Sequence, residues 1–436
     1  MLSTASGDGS VRVGTFPARP DRVERSTHLV QCCIVGGGPA GMMLGLLLAR
    51  SGIRVIVLEK HADFLRDFRG DTVHPSTLEN LHELGVLDAF LRRPHQEVAE
   101  LSAKVVDTLV TVADFGHLPT RCRFIALMPQ WDFLDFLSEQ ARRYAGFELM
   151  MRAEVIDLIE EAGRIVGVRA RTHDGELDVR ADLVIGADGR QSIVRERAGL
   201  EVLDIGAPID VLWMRLSRRP SDPDRTFGNI NRGRVFIMLN RGEYWQCGFV
   251  IAKGGIDALR QQGLPAFRRA IAETVPFLND RVDELDEWSA IKLLTVKIDR
   301  LREWCRPGLL CIGDAAHAMS PVGGVGINLA IQDAVAAANI LADPLARGAL
   351  SFADLQAVQK RRVFPTRITQ AVQVFVQDRL LSRALRTTNP SVPLVVHLLQ
   401  AWPALRRIPA RLVGIGARAE HVRTRESQSL SASRDE

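Results

Sequence analysis

Two short stretches near the start of the chain lack the usual alternation of apolar and polar residues. Residues 29–35 are apolar apart from Gln31, and residues 54–58 are apolar after Arg54, which is the pattern of strands that are covered on both faces. Between them, Pro39–Arg50 carries apolar residues on all sides, which predicts a buried helix. Strand, helix and strand in close succession predict a βαβ unit with parallel strands.

A pattern with a period of two residues occupies the middle of the chain. Residues 101–115 alternate and are rich in β-branched side chains, which predicts a hairpin. Residues 211–216, 234–239 and 245–251 alternate in the same way between turn residues and predict an antiparallel sheet. Which face of this sheet is covered stays open, because a shift of one residue inverts every side chain.

The two ends of the chain differ in character. Residues 1–27 contain charges, Gly and Pro but no apolar core of a signal peptide, which is typical of a flexible arm. Residues 328–341 predict an Ala-rich helix, and helical patterns with Arg on the polar side continue to about residue 422. The last dozen residues are polar and are expected to be disordered.

Composition narrows the classes of protein that fit. Lys and Arg total 56 and Asp and Glu total 52, so the net charge of +4 gives little support to a nucleic-acid partner. The six cysteines form no CxxC pair and no Cys/His cluster with the spacing of metal ligands, so no metal site is predicted. The apolar stretches are too short to predict a membrane span. We therefore expect a cytoplasmic protein with reduced thiols.

The turn after the first strand reads GGGPAG, in which Gly36, Gly38 and Gly41 match the pattern GxGxxG. Such glycines allow a tight turn and let backbone amides and a helix N-terminus reach a pyrophosphate. Glu59 ends the second strand, eighteen residues after Gly41, where a carboxylate binds a ribose hydroxyl, and Lys60 follows it as a further candidate. The carboxylate favours FAD or NAD over NADP as the bound dinucleotide.

Two later motifs distinguish between these cofactors. Asp188 opens the sequence DGRQSIVR, and Asp314 lies in GDAAHAMSPVGGVGIN, directly after a predicted buried strand at 308–312. In this order and with these separations, the three motifs resemble those of the class A flavoprotein monooxygenases, the family of p-hydroxybenzoate hydroxylase. The resemblance covers about residues 29–345.

The resemblance implies that the chain binds FAD non-covalently. Asp314 is expected to accept hydrogen bonds from the ribityl hydroxyls. The glycine-rich loop ends at Gly326, and the amides of Ile327 and Asn328 at the start of the next helix are expected to face the N1–C2=O edge of the flavin. Reduced flavin carries its negative charge at that edge, where a helix N-terminus stabilises it.

Three further positions follow from the same resemblance. Arg69 in RDFRGDTVHPST and Gln130 in MPQWDFLDFL match an arginine and a glutamine that the family places beside the flavin. Asp188 belongs to a motif that the family links to FAD and to transient NAD(P)H contacts, but an Asp before a helix is equally typical of an N-cap. The two interpretations of Asp188 are compatible, and both stay open.

No catalytic residue is assigned on the substrate side. The candidates for the pocket are His74, Arg215, Tyr244, Gln246 and Pro321. Family members that ionise a phenol use tyrosines, whereas this chain contains only two tyrosines in all. A more electron-rich substrate, or one that needs no deprotonation, therefore fits the sequence better.

The predicted fold is α/β, with a Rossmann-like FAD-binding domain of the p-hydroxybenzoate hydroxylase type, an inserted antiparallel-sheet substrate domain and a helical C-terminal region. The expected bounds are 1–27 for the arm, 28–100, 122–200 and 298–345 for the FAD-binding domain, 101–121 and 201–297 for the substrate domain, 346–422 for the helical region and 423–436 for the polar tail.

The resemblance also implies a reaction. NADH or NADPH reduces the FAD, O₂ adds to form a C4a-hydroperoxyflavin, and one oxygen atom passes to an aromatic or other electron-rich small molecule. A small aromatic or polycyclic compound is the expected substrate, and a homodimer is compatible with the sequence. Two alternatives on the same fold stay open: an FAD-dependent dehydrogenase or oxidase, and a non-catalytic scaffold.

Overall fold

The computed structural model describes residues 26–65, 72–105, 108–224, 226–231, 233–386 and 394–427. The strands are β1 (Ser26–Val35), β2 (Val55–Glu59), β3 (Thr72–Val73), β4 (Gln96–Val98), β5 (Glu100–Val105), β6 (Thr108–Asp114), β7 (Ile125–Leu127), β8 (Phe147–Met151), β9 (Glu154–Glu161), β10 (Arg164–Thr172), β11 (Gly175–Gly186), β12 (Val202–Asp204), β13 (Ile209–Ser217), β14 (Phe227–Asn231), β15 (Arg234–Asn240), β16 (Tyr244–Ala252), β17 (Lys292–Leu294), β18 (Asp299–Leu301), β19 (Cys305–Arg306) and β20 (Leu309–Cys311). The α-helices are α1 (Pro39–Arg50), α2 (Pro75–Glu83), α3 (Leu87–Leu91), α4 (Gln130–Ala141), α5 (Ile193–Arg197), α6 (Ile256–Gln262), α7 (Leu264–Thr274), α8 (Gly326–Ala346), α9 (Phe352–Val376), α10 (Ser382–Arg386), α11 (Leu394–Ala401) and α12 (Arg407–Gly414).

The first sheet carries the predicted βαβ unit. Parallel strands β20, β11, β1, β2 and β8 lie side by side in that order, and β19 is antiparallel to β20 at one edge. Strands β10 and β9 extend β11 by antiparallel pairing. Helix α1 has the predicted bounds and is buried along most of its length, in contact with α8 and α4. The α/β fold with a Rossmann-like unit is thereby confirmed.

The second sheet combines the predicted hairpin with the predicted antiparallel strands. Its order is β17, β13, β16, β15, β14, β5 and β6, and the hairpin joins through a parallel pair between β14 and β5. Leu212, Phe236 and Trp245 on one face pack against the helices α6 and α7 in an apolar cluster. Trp213 and Val250 on the opposite face pack with residues of α10. Tertiary packing thus decides the question of faces that the alternation left open.

Helix α8 begins at Gly326, two residues before its predicted start. Together with the turn before it, this helix is long and apolar enough to cross a membrane by composition, but 83% of the apolar window is buried inside the fold. Burial of this kind is typical of the core helix of a globular protein. Helix α9 begins with a capping box between Ser351 and Asp354 and continues through a π-helical turn (Gln377–Leu381) into α10.

Residues 423–427 of the polar tail are anchored on α1 and on Tyr144 after α4, although the composition predicted disorder for the last dozen residues. Residues 428–436 lie outside the described part of the chain. Arg50 at the end of α1 donates a hydrogen bond to the carbonyl oxygen of Thr424 at 2.8 Å. The hydroxyl of Tyr144 donates to the carboxylate of Glu426 at 3.0 Å. Polar composition alone did not reveal these anchors, because each partner lies hundreds of residues away along the chain.

The turn between β1 and α1 leaves no room for a side chain at position 41. A Cβ atom there would lie 2.0 Å from the carbonyl oxygen of Gly36. We expect Gly41→Ala to lower the free energy of unfolding by about 1–3 kcal/mol, the usual cost of forcing extra atoms into a packed site. Urea unfolding in the presence of excess FAD measures the change.

Gly228→Ala is the matched control for this substitution. A Cβ at position 228 would meet only the Cβ of Ala103, at 3.8 Å, an ordinary contact. Its effect should stay within about 0.5 kcal/mol. Equal stability of the two variants would contradict the close approach of the two glycines in the turn.

Candidate active site

The glycine-rich turn brings backbone amides and the start of α1 to one open position. Gly36 has a φ of 106°, and its amide donates to the carbonyl oxygen of Leu58 at 2.8 Å, so the turn is tied to the end of β2. A side chain at position 36 would lie 2.4 Å from the carbonyl oxygen of Ala187. Around Gly38, the residue before α1, nothing lies within 4 Å of a Cβ position, so a ligand has access to the helix N-terminus.

Glu59 lies at the end of β2 beside this turn. Its carboxylate accepts hydrogen bonds from the amide of Gly37 at 2.9 Å and from the amide of His61 at 3.0 Å. The side chain is therefore held in one orientation next to the turn, as a ribose-binding carboxylate requires. The neighbouring Lys60 is exposed.

Asp188 holds the turn before α5. Its carboxylate accepts from the hydroxyl of Ser192 at 2.5 Å and from the amide of Val194 at 3.2 Å. Burial raises the pKa of Asp188, although these hydrogen bonds oppose the shift. Arg195 in the same motif donates to the carbonyl oxygens of Arg190 at 2.5 Å and Ala315 at 3.4 Å, which ties the motif to the loop after β20. The N-cap of α5 is Ser192, whose hydroxyl accepts from the amide of Arg195 at 3.0 Å, so the N-cap interpretation of Asp188 is wrong. Asp188 instead supports this cap from the preceding turn.

Asp314 lies in the turn after β20 and is paired with an arginine that the sequence analysis did not single out. The Arg190 guanidinium donates to its carboxylate at 2.9 Å and to the carbonyl oxygen of Met319 at 3.3 Å. The side chain of Asp314 is 32% exposed, so the carboxylate stays accessible to a ligand. A Cβ on Gly313 would lie 3.1 Å from Ala40, which places this turn against the start of α1. The only available signal for Arg190 was its position next to Asp188–Gly189.

His74 fastens the glycine-rich loop before α8. One ring nitrogen lies 3.0 Å from the carbonyl oxygen of Gly324, and the other lies 2.9 Å from that of Val413 at the end of α12. The hydroxyl of Thr72 donates to the same Gly324 oxygen at 2.8 Å. Burial lowers the pKa of His74 to about 4, so the ring is neutral near pH 7. A neutral ring carries a single N–H, so it donates to one of these two carbonyl oxygens, and its complete burial separates it from a substrate.

The start of α8 has free amides but an engaged side chain. The first amides of an α-helix have no partner within the helix. Gly326 is the first residue of α8, and nothing lies within 4 Å of a Cβ built on it. The side-chain oxygen of Asn328 accepts from the hydroxyls of Ser76 at 2.5 Å and Thr77 at 3.0 Å. Asn328 thereby fixes α8 against α2, and its backbone amide stays directed along the helix N-terminus.

A buried charge cluster lies behind the loop that follows Asp314. Asp333 on α8 accepts from the amide of Gly313 at 3.1 Å and from Arg362 at 2.8 Å, and lies 2.6 Å from Nε2 of His317. Asp333 and Arg362 have no exposed side-chain surface, and His317 is 1% exposed. Burial alone raises the pKa of Asp333, but His317 and Arg362 outweigh it and hold the pKa below its usual value. His317 is accordingly part of the support of the loop.

The other flavin-side candidates differ in what the structure describes. Gln130 is the first residue of α4, which packs against α1. Pro321 lies in the loop between Asp314 and α8, and its carbonyl oxygen accepts from the amide of Gly324 at 3.0 Å. Arg69 lies outside the described residues.

The remaining pocket candidates share one face of the second sheet, the face directed toward α10. The guanidinium of Arg215 lies over the ring of Tyr244, 5.1 Å from its centroid. Gln246 is buried and accepts from Arg241 at 3.2 Å. The ring of Trp213 lies against Gly248, where a Cβ would be 3.1 Å from the ring. This face therefore offers a cation, an aromatic ring and an amide close together.

The arrangement of these residues fits FAD. An open helix N-terminus with glycine amides suits a pyrophosphate, Glu59 and Asp314 supply carboxylate acceptors for hydroxyl groups, and the start of α8 suits a developing negative charge. Among the described residues, no group of His, Cys, Asp and Glu could hold a metal ion.

Comparison with known proteins agrees with this geometry. The family model of an FAD binding domain matches residues 29–372. The 6-methylpretetramide 4-monooxygenase of Streptomyces rimosus is 36% identical over 386 residues, which cover 87% of this chain and 91% of that protein. The 2,4-dichlorophenol 6-monooxygenase of Delftia acidovorans is 26% identical over 69% of this chain, which spans little more than half of that protein, 55%.

Solved structures show the same fold. The anhydrotetracycline hydroxylase OxyS from Streptomyces rimosus has a TM-score of 0.69 at 22% identity, covering 88% of this chain and 76% of that chain. PqsL from Pseudomonas aeruginosa has a TM-score of 0.69 at 22% identity, covering 83% of this chain and all of that one. With the family model spanning most of its length, the chain belongs to the FAD binding domain family of class A flavoprotein monooxygenases and is an FAD-dependent monooxygenase that consumes NAD(P)H and O₂.

Proposed function

We propose that this monooxygenase hydroxylates a polycyclic phenolic compound. The observation that carries the proposal is the match to 6-methylpretetramide 4-monooxygenase, which is 36% identical and extends over 91% of that protein. A match of this extent includes the substrate-facing sheet as well as the FAD motifs. The scarcity of tyrosines supports the proposal, because an electron-rich fused phenol needs less activation than a simple phenol.

The same proposal assigns the residues that would hold FAD. The turn Gly36, Gly38 and Gly41 binds the pyrophosphate at the N-terminus of α1, and Glu59 binds a ribose hydroxyl. Asp314 would accept hydrogen bonds from the ribityl chain. The amides that open α8 would stabilise negative charge on the pyrimidine edge of the flavin. FAD, when bound, would supply the redox chemistry of hydride acceptance and oxygen transfer.

The chain itself positions the substrate and excludes water. We assign the face of Arg215, Tyr244 and Gln246 to the substrate, with Trp213 as its apolar floor. The guanidinium of Arg215 stabilises the anionic form of a phenol or enol, which makes the ring more nucleophilic without a relay of tyrosines. Tyr144, the only other tyrosine, is bonded to the polar tail and takes no part.

The role of Asp314 predicts a loss of FAD affinity on truncation. Asp314→Ala removes a charged acceptor for hydroxyl groups, which is worth about 1.5–3 kcal/mol, so the Kd for FAD should rise about 10- to 100-fold. Quenching of FAD fluorescence measures the Kd. Asp174→Ala, in an exposed turn where the carboxylate side chain is 81% exposed, is the control and should bind FAD like the parent. An unchanged Kd for Asp314→Ala would remove this residue from the FAD site.

The start of α8 predicts an effect on the flavin potential. Gly326→Pro removes an amide and forces Val325 out of its helical backbone conformation, so reduced anionic flavin should be stabilised less than before. The midpoint potential should become more negative, by roughly 30 mV for each 1.4 kcal/mol lost in this two-electron couple. Spectroelectrochemical titration with saturating FAD measures it.

Gly326→Ala is the control, because it keeps the amide and its Cβ meets nothing within 4 Å. Its potential should match that of the parent. A parental potential for Gly326→Pro, with FAD fully bound, would mean that α8 does not start at the pyrimidine edge.

The proposed substrate class predicts an oxygenated product. With NADH or NADPH as reductant, polycyclic phenols should stimulate O₂ uptake more strongly than monocyclic phenols. Mass spectrometry should show that the best polycyclic substrates have gained one oxygen atom. Oxidation of NAD(P)H with all O₂ recovered as peroxide, and no oxygenated product from any phenol, would favour the oxidase alternative. A preference for monocyclic phenols would refute the proposed polycyclic substrate but not the monooxygenase activity.

A further inference from the structure

Three glutamines form a buried polar stripe on helix α9 and the π turn that extends it. Gln370, Gln373 and Gln377 are spaced by three and four residues and are 1%, 3% and 0% exposed. A primary amide buried in this way is costly unless its donors and acceptor are bonded. The stripe therefore needs polar partners. Gln370 donates to the carbonyl oxygen of Asp299 at 2.7 Å and accepts from Arg300 at 3.1 Å, and all three glutamines also contact one loop.

The stripe binds the backbone of residues 318–322. Gln370 donates to the carbonyl oxygen of Ala318 at 3.2 Å. Gln373 accepts from the amide of Ser320 at 3.1 Å and donates to the carbonyl oxygens of Ser320 at 2.9 Å and Val322 at 3.0 Å. Gln377 donates to the hydroxyl of the same serine. Gln373 is the centre of this set, since it alone satisfies three backbone groups of the loop.

The position of the loop gives these bonds a consequence for the cofactor. Residues 318–322 connect Asp314, assigned to the ribityl chain, with the start of α8, assigned to the pyrimidine edge. Pro321, a pocket candidate, lies between the two residues that Gln373 binds. Displacement of this loop would therefore move the proposed FAD contacts and the pocket together.

The same helical stripe continues to the substrate-facing sheet. Beyond Gln377 the spacing of three and four residues leads to Leu381, Ala384 and Leu385, which pack in one apolar cluster with Trp213 and Val250. One continuous helical rod thus contacts the loop through amides and the sheet through apolar side chains.

We infer that Gln373 is a positioning residue that fixes residues 318–322, the flavin-side loop, against α9 and so sets the redox potential of bound FAD. The inference rests on the proposed function in its assignment of the loop to the flavin edge. Gln373 acts through the backbone of Ser320 and Val322. Without it, the two buried backbone groups of Ser320 and the half-buried carbonyl oxygen of Val322 lose this partner, and the loop shifts or admits water.

Gln373→Met tests the inference, because Met keeps the length of the side chain but makes none of the three hydrogen bonds. We expect reduced FAD to bind at least tenfold more weakly relative to oxidised FAD than in the parent, which corresponds to a midpoint potential lower by about 30 mV. The potential is measured by spectroelectrochemistry with FAD in saturating excess. Gln356→Met, at an exposed position of the same helix, is the control and should keep the parental potential. A parental potential in Gln373→Met would overturn the inference.

Gln373→Glu separates hydrogen bonding from packing. The protonated carboxyl still donates one hydrogen bond, whereas the ionised form donates none and places a negative charge against two carbonyls. The difference in potential between this variant and the parent should therefore widen as the pH rises through the pKa of the introduced carboxyl, which burial raises. A difference that does not change with pH would reduce Gln373 to a packing role. This variant also decides the question if Gln373→Met does not fold.

These measurements need no substrate, so they are independent of the substrate assignment. If Gln373→Met has a shifted potential but the parent enzyme oxygenates none of the phenols, only the proposed function is refuted. A parental potential together with normal oxygenation would refute the role of Gln373 alone.

Discussion

The structure depends on one fully buried carboxylate. Asp333 on α8 binds the amide of Gly313, the ring of His317 and the guanidinium of Arg362. It thereby joins the turn after β20, the segment of His317, α8 and α9 at a single point. A carboxylate in such a place is tolerated only because its charge is compensated, and removal of one partner of a buried pair typically costs about 3–5 kcal/mol. Elements that carry separate parts of the cofactor site are therefore held in one arrangement.

A second set of ion pairs connects α9 to the segment after α12. Arg362 also lies 3.3 Å from the carboxylate of Glu420, which pairs with Arg361 at 2.7 Å. The backbone around Glu420 is held by Asn80 and Gln332, on α2 and α8. The segment after α12 thus connects α2, α8 and α9 through Glu420, while Asp333 binds Gly313 and His317 in the interior. Buried polar networks of this kind specify one geometry, which a site for a flavin edge requires.

The sequence predicted those parts of the site that lie within short segments. The strand, turn and helix around Gly36–Gly41 have the predicted order, because the apolar runs and the glycines act over a few residues. Helix α8 begins at Gly326, two residues before the apolar pattern that starts at residue 328, because a glycine-rich segment gives no periodic signal from which a helix start can be read. Arg190 was missed because its partner Asp314 lies 124 residues further along the chain.

By itself, the sequence determined the βαβ unit, the motif order that identifies an FAD-dependent monooxygenase, and the strands of the second sheet. These follow from local periodicity and from residues whose chemistry acts at fixed short spacing. Only the tertiary structure decided which face of that sheet is directed toward α10, and that α9 binds the backbone of residues 320–322 through Gln373 and the carboxylate of Asp333 through Arg362. A strand's alternation is symmetric between its two faces, and a buried glutamine or arginine has no local pattern that names its partner. Both are settled by packing between segments far apart in the chain, where burial makes an unpaired polar group costly.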